Sequence, residues 1–173
     1  MLEEKKIKAR VGKLKKLSIF AGIKDDENSL REIAEILEVE KFSSSQAVIV
    51  EGDDGNSLYI IKKGIVDILK KTKHGDEYVV TELSADMNIF FGELALIDPD
   101  KRSATVRCKT DSEFYKLTRE RFIKFGNSNP LAGLAITREI SKILCQRNRK
   151  SNVDILTLFD ALVEEVEISG GIS

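Results

Sequence analysis

The sequence lacks tryptophan and contains only one histidine, two cysteines and two prolines among its 173 residues. The single histidine, His74, cannot supply a metal site built from several imidazoles, nor repeated serine–histidine relays. The two cysteines, Cys108 and Cys145, are too few for a disulfide framework and fit a reducing compartment. These shortages exclude multi-histidine metalloenzymes and small secreted domains that are held together by disulfides.

An excess of charge of one sign is also missing. The chain carries 28 basic and 29 acidic side chains, so it lacks the positive excess that neutralises nucleic-acid phosphates. No apolar run reaches the roughly 18 residues that a membrane-spanning helix needs, and the N-terminus has no apolar signal-peptide core. We therefore predict a cytoplasmic protein that has neither nucleic acid nor membrane as a partner.

The charges are unevenly distributed along the chain. Residues 1–16 are rich in lysine, whereas residues 152–173 contain acidic side chains and no lysine or arginine. These segments are either ordinary solvated helix faces, or a basic and an acidic helix that attract each other within or between chains. The sequence favours neither interpretation by itself.

Hydrophobic residues make up 42% of the chain, which is enough for the core of one compact domain. We predict N-terminal helices over residues 1–40, a β-barrel over 41–118 and C-terminal helices over 119–168, together forming a single structural domain. Short strands at roughly ten-residue spacing are typical of a sandwich or a jelly-roll barrel rather than of a parallel sheet. The predicted strands are Ala47–Val50, Leu58–Ile61, Ile65–Lys70, Tyr78–Leu83, Ile89–Phe91, Ala104–Cys108 and Glu113–Leu117.

Apolar side chains at helical spacing predict helices on both sides of the strands. One helix covers residues 2–17, and a second begins near Asp26. After the strands, a helix is predicted over residues 130–148, with proline at its first position. Ser151 opens a capping-box pattern that predicts a separate last helix, followed by a disordered tail over residues 169–173.

One segment, Phe91–Val106, combines residue types that suit a sugar and its phosphate. Gly92 lets the backbone approach a ligand where a side chain would block it. Arg102 offers a planar fork of donors for phosphate oxygens, and Glu93 is an acceptor-only carboxylate suited to sugar hydroxyls. The simpler interpretation is an ion pair between Glu93 and Arg102 at a turn, and their spacing alone does not decide between the two.

The segment Phe91–Val106 resembles the phosphate-binding cassette of cyclic-nucleotide-binding domains, as in bacterial catabolite activator proteins and regulatory subunits of cyclic-AMP-dependent kinase. Upstream, Glu51–Ile68 is similar to the barrel signature of the same family, with glycines at its turns and alternating inward residues. The resemblance covers about residues 17 to 150. It implies a mainly β protein, a double-stranded β-helix or jelly-roll barrel of the cyclic-nucleotide-binding type, with helices at both termini.

The resemblance also implies roles for individual residues. Glu93 would accept the ribose 2′-hydroxyl, Arg102 would pair with the cyclic phosphate, and Ser103 would offer its N–H to a phosphate oxygen. The other implied ligand contacts are Gly92, Leu94 and Ala95 near the sugar and phosphate, and Val80 and Leu83 towards the purine. Threonine directly after the phosphate arginine accompanies cyclic-GMP preference in the family, so Ser103 favours cyclic AMP.

The resemblance further implies a regulatory module with no catalytic residues, no cofactor and no metal. Its C-terminal helices would close over the base, form a homodimer contact or meet a separate output protein. Only a short segment follows residue 148, so no DNA-reading helix-turn-helix is expected and the module is predicted to stand alone. In one departure from the family, residues 84–90 form a longer turn without glycine.

Three functions from different classes remain open. The leading hypothesis is a cyclic-nucleotide sensor, since both Glu93 and Arg102 are present. The second is a degenerate barrel that serves assembly and binds no nucleotide, which the unusual 84–90 turn favours. The third is a cupin-type enzyme on a similar barrel, but such sites normally hold their metal through several histidines.

Overall fold

The computed structural model describes residues 2–98 and 101–170. Its centre is formed by eight β-strands in two antiparallel sheets of four strands each. The strands are β1 (Glu38–Phe42), β2 (Ala47–Ile49), β3 (Ser57–Lys63), β4 (Ile65–Lys71), β5 (Glu77–Ser84), β6 (Phe90–Phe91), β7 (Thr105–Cys108) and β8 (Ser112–Thr118). One sheet has the strand order β1-β8-β3-β6, and the other has the order β2-β7-β4-β5.

The two sheets pack against each other because alternate side chains of their strands are apolar and face a shared core. Tyr59 and Ile61 of β3 lie in one buried cluster with Phe114 of β8 and with Val66 of β4, which belongs to the other sheet. The predicted mainly β jelly-roll with flanking helices is therefore confirmed. Within the described residues, the sheets meet by side-chain packing and do not close into one hydrogen-bonded barrel.

Helices flank the sheets at both ends of the chain. They are α1 (Leu2–Leu14), α2 (Glu27–Ile36), α3 (Leu94–Ile97), α4 (Arg119–Ser128) and α5 (Pro130–Gly170), with a 3₁₀ helix over Ser18–Ile23. A second buried cluster contains Phe20 of the 3₁₀ helix, Ile136 of α5 and Leu58 of β3. This cluster holds the N-terminal helices and the first part of α5 against the same sheet.

The structure departs from the sequence-based prediction at three places. Strand β1 begins at Glu38, inside the segment predicted to be helical, and pairs with β8. The predicted break at Ser151 is wrong, because α5 runs through it as one helix of 41 residues. A side-chain cap adds little where the backbone hydrogen bonds of the preceding turn already continue. Of the predicted disordered tail, residues 169 and 170 end the helix and residues 171–173 lie outside the described residues.

Among the described residues, no helix combines the length and the apolar character that crossing a bilayer requires.

Candidate functional site

A cavity of about 440 Å³ opens between the β4–β5 hairpin and the segment that runs from β6 to β7. Its volume lies in the range of roughly 300–1,000 Å³ that is typical of small-molecule sites. Seven of the eight residues predicted to contact a ligand line it. They are Leu83, Gly92, Glu93, Leu94, Ala95, Arg102 and Ser103.

The polar wall of the cavity begins where β6 ends. Gly92 has a φ of 77°, a left-handed conformation that glycine adopts without strain, and the chain turns there into the short helix α3. A Cβ atom on Gly92 would lie 2.6 Å from Nη1 of Arg102. Glycine is therefore required here both for the turn and for the space that the arginine occupies.

Arg102 lies at the other end of the same segment, three residues before β7 begins. Its Nη2 donates a hydrogen bond to the backbone oxygen of Ser57 at 2.8 Å, and its Nη1 donates to that of Gly92 at 3.3 Å. Gly55 makes room for the same side chain, because a Cβ atom there would lie 2.7 Å from Nε. Two neutral carbonyl groups and two glycines thus hold the guanidinium in one orientation.

The charge of Arg102 is poorly compensated. The residue is only 8% exposed, and its Nε has no hydrogen-bond partner among the described residues. Burial lowers the pKa of the Arg102 guanidinium, while Tyr59 and Glu93 act in the opposite direction. A buried cation is costly unless an anion pairs with it, and no described residue forms a salt bridge with Arg102, so this arrangement suits an anionic ligand.

Glu93 is also buried, with only 2% of its surface exposed. Its Oε1 accepts a hydrogen bond from Nη1 of Arg147, and the two form a salt bridge. Arg147 comes from α5 and lines the cavity as well. In the described contacts, the salt-bridge partner of Glu93 is Arg147 and not Arg102, so Glu93 and Arg102 present opposite charges separately to the cavity.

The apolar wall comes from β5 and its neighbours. Leu83 and Thr81 line the cavity, as alternation along a strand requires. Val80 does not line it and is half exposed. The register between β4 and β5 shifts at this point, where Ile68 pairs with Thr81 and Leu69 with Val79, so Val80 is the extra residue of a β-bulge.

The unusual turn over residues 84–90 is closed without glycine. Asn88 has a φ of 48°, and asparagine tolerates this left-handed conformation better than most residues. Lys13 of α1 donates hydrogen bonds to the backbone oxygen of Ala85 at 2.8 Å and to Oδ1 of Asn88 at 3.1 Å. The turn is therefore held in place by the N-terminal helix, and Ile89 at its end lines the cavity.

Several residues of this site were not predicted from the sequence. Thr81 could have been found by strict alternation from Leu83, and Gly55 by its place in the barrel signature. Arg147 carried no such signal, because only the path of α5 brings it to a residue 54 positions earlier in the chain.

Comparison with known proteins identifies the family. The family profile described as Cyclic nucleotide-binding domain matches residues 39–129. The cAMP-activated global transcriptional regulator CRP of Haemophilus influenzae is 31% identical over 111 residues, which cover 64% of this chain and 49% of that protein. The cAMP-dependent protein kinase regulatory subunit of Dictyostelium discoideum is 34% identical over 112 residues, which cover 63% of this chain and 33% of that protein.

Solved structures show the same fold. The Catabolite Activator Protein of Thermus thermophilus superposes with a TM-score of 0.70 at 23% identity, covering 82% of this chain and 62% of that one. The chain spans half or less of the length of the curated relatives above. The relatives are named as regulators and regulatory subunits, which at the level of the family indicates a regulatory rather than a catalytic module. The chain is a member of the cyclic nucleotide-binding domain family.

Proposed function

We propose that this chain is a regulatory module that binds a cyclic purine nucleotide in the cavity, with cyclic AMP preferred over cyclic GMP. It works without a metal, a cofactor or catalytic chemistry of its own. Its output passes through α5, either to a second copy of the chain or to a separate protein. The cytoplasmic location stays a prediction.

The observation that carries the proposal is the buried guanidinium of Arg102, which forms no salt bridge within the described residues. Its Nε has no partner in the described part of the chain, and its two hydrogen bonds go to neutral carbonyl groups. A cyclic phosphate carries one negative charge and supplies two exocyclic oxygens that can accept hydrogen bonds from such a donor fork. A degenerate barrel kept only for assembly would have no need for a buried arginine without an anionic partner among the described residues, so Arg102 argues against that alternative.

The remaining walls suit the rest of a nucleoside. Glu93 offers a carboxylate to the ribose hydroxyl, and Leu83 and Thr81 offer an apolar face with one hydroxyl to the purine. Ser103 follows the phosphate arginine and lines the cavity, which supports the preference for cyclic AMP. The curated relatives compared above are also named for cAMP.

The proposed output surface is the exposed second part of α5. Its apolar side chains include Ile155, Phe159 and Leu162, each at least half exposed. An apolar helix face of this kind is normally covered by another helix or by a partner surface. A homodimer needs no further chain, and we take it as the simplest form of this contact.

The test is a calorimetric titration of the wild-type chain and of Arg102→Ala with cyclic AMP and cyclic GMP. Removing the arginine leaves a phosphate in a cavity that no longer offers its main cation, which should cost about 2–5 kcal/mol of binding. That corresponds to a loss of affinity of roughly 30-fold to several thousand-fold. Arg102→Lys should also bind much more weakly, because a point charge does not reproduce the fork.

Arg107→Ala is the matched control. Arg107 lies on β7, five positions after Arg102, but does not line the cavity, and its partner is Glu77 on the surface of the sheet. It should bind like the wild type. Unchanged affinity in Arg102→Ala, with an intact circular dichroism spectrum, would contradict the assignment of the phosphate site.

A further inference from the structure

One donor, Arg147, engages a buried carboxylate at the edge of the cavity. Arg147 of α5 contacts Oε1 of Glu93, which is almost fully buried, whereas the side chain of Arg147 remains 57% exposed. Arg147 therefore reaches Glu93 from the solvent side. Under the proposed function, the same carboxylate is the acceptor for the ribose hydroxyl.

The ion pair has a physical reason that does not involve a ligand. A carboxylate that is this deeply buried pays a desolvation cost unless donors compensate its charge. Arg147 provides a charge-assisted hydrogen bond, which is stronger than one from a neutral hydroxyl. A ribose that approaches Glu93 therefore meets a carboxylate whose Oε1 is already engaged by a stronger donor.

The position of Arg147 on α5 connects the cavity to the exposed part of the helix. Ile136 and Ile140 anchor the helix in the buried cluster, and Leu144 packs at its margin. Arg147 comes one turn later, just before the stretch of α5 whose apolar side chains are exposed. The contact with Glu93 thus links the wall of the cavity to the beginning of the projecting part of the helix.

We propose that Arg147 sets the affinity for ribose nucleotides by competing with the ribose 2′-hydroxyl for Glu93, so that a bound 2′-hydroxyl releases α5 beyond Leu144. This inference rests on the proposed function and adds to it a residue that no cassette motif contains. Other cations of the same helix do not share the role, because neither Arg138 nor Arg149 lines the cavity.

The test compares cyclic AMP with 2′-deoxy cyclic AMP, which lacks the hydroxyl that competes. Arg147→Ala should bind cyclic AMP about tenfold more tightly than the wild type, because Glu93 no longer has to exchange one donor for another. Its affinity for the deoxy analogue should stay within about twofold of the wild type. Arg149→Ala, which changes the same residue type two positions later, should leave both affinities unchanged.

Amide hydrogen exchange provides a readout that is independent of affinity. Cyclic AMP should speed exchange in residues 145–166 of the wild type, and the deoxy analogue should not. In Arg147→Ala the same amides should already exchange fast without nucleotide.

Weaker or unchanged binding of cyclic AMP by Arg147→Ala, while the wild type binds it, would overturn this inference alone. A wild-type chain that binds neither nucleotide, and whose Arg102→Ala variant behaves identically, would overturn the proposed function and this inference with it.

Discussion

Residues 130–144 and residues 145–166 belong to the same continuous helix, α5, yet they bury their apolar side chains to very different degrees. In the first part, Ile136 is 1% exposed. In the second part, Ile155 is 60% exposed and Phe159 is 63% exposed. Both parts show helical spacing of apolar residues, so the difference does not come from the local pattern.

What differs is the surface that each part meets. The first part packs against the 3₁₀ helix Ser18–Ile23 and against α4, in a cluster that also contains strands of the sheet. The second part projects past this core after its contact with Glu93. Helical periodicity therefore shows which face of a helix is apolar, but it does not show what covers that face.

The largest expected effect comes from comparing the same substitution in the two parts. Ile136→Ala removes a fully buried side chain and leaves a cavity, which should lower the free energy of unfolding by about 2–5 kcal/mol. Ile155→Ala removes a side chain that is mostly exposed and should change it by less than about 0.5 kcal/mol when measured at low protein concentration. Urea unfolding of both variants checks this. Similar losses for both would mean that the second part of α5 is packed against the folded chain in solution.

A smaller effect is expected at the crossing of α4 and α5, where two glycines face each other. A Cβ atom on Gly133 would lie 2.8 Å from the Cα of Gly126, too close without a backbone shift. Gly133→Ala should therefore destabilise the chain by about 1–3 kcal/mol, although alanine is the better helix former.

The control at this crossing is the opposite glycine. A Cβ atom on Gly126 would lie 3.8 Å from the Cα of Gly133, which is an ordinary contact. Gly126→Ala should thus be neutral or stabilising by up to about 1 kcal/mol, since only the helix preference changes. Thermal unfolding separates the two variants, and a destabilised Gly126→Ala would show that the helices lie closer than described.

The same contrast explains how much of the molecule the sequence could predict. Seven of the eight described strands follow from local patterns, and β1 does not. The polar wall of the cavity also follows from the local pattern, because Gly92, Glu93 and Arg102 lie in one short segment.

The sequence-based prediction assigns Val80 to the cavity together with Leu83, but residues three positions apart on a strand face opposite sides, so alternation from Leu83 indicates Thr81 instead. The β-bulge at Val80 itself could not be predicted from the composition. The contact of Arg147 depends on where a long helix passes, which is a property of the tertiary packing.

The course of α5 also shows what a local sequence pattern cannot predict. Ser151 and the acidic residues after it predict the N-terminus of a helix, yet α5 is continuous there. A capping pattern indicates that a helix can begin at that residue. Whether the helix is continuous depends on whether the preceding turn already supplies hydrogen-bond partners for the backbone N–H groups.

The smallest expected effect on stability, and the most direct test of what covers the second part of α5, is at Phe159. Ile155, Phe159, Leu162 and Val166 are separated by alternating steps of four and three residues, the spacing with which two helices pair along a seam. All four side chains are at least 60% exposed. Phe159→Ser should therefore leave the free energy of unfolding of the dilute chain within about 0.5 kcal/mol of the wild type. It should, however, shift the mass measured by light scattering at high concentration from dimer to monomer.

Val153→Ser, which changes an equally exposed apolar residue off this seam, should leave the chain dimeric. A wild-type chain that stays monomeric at every concentration would rule out the second copy and leave a separate output protein as the occupant of this face.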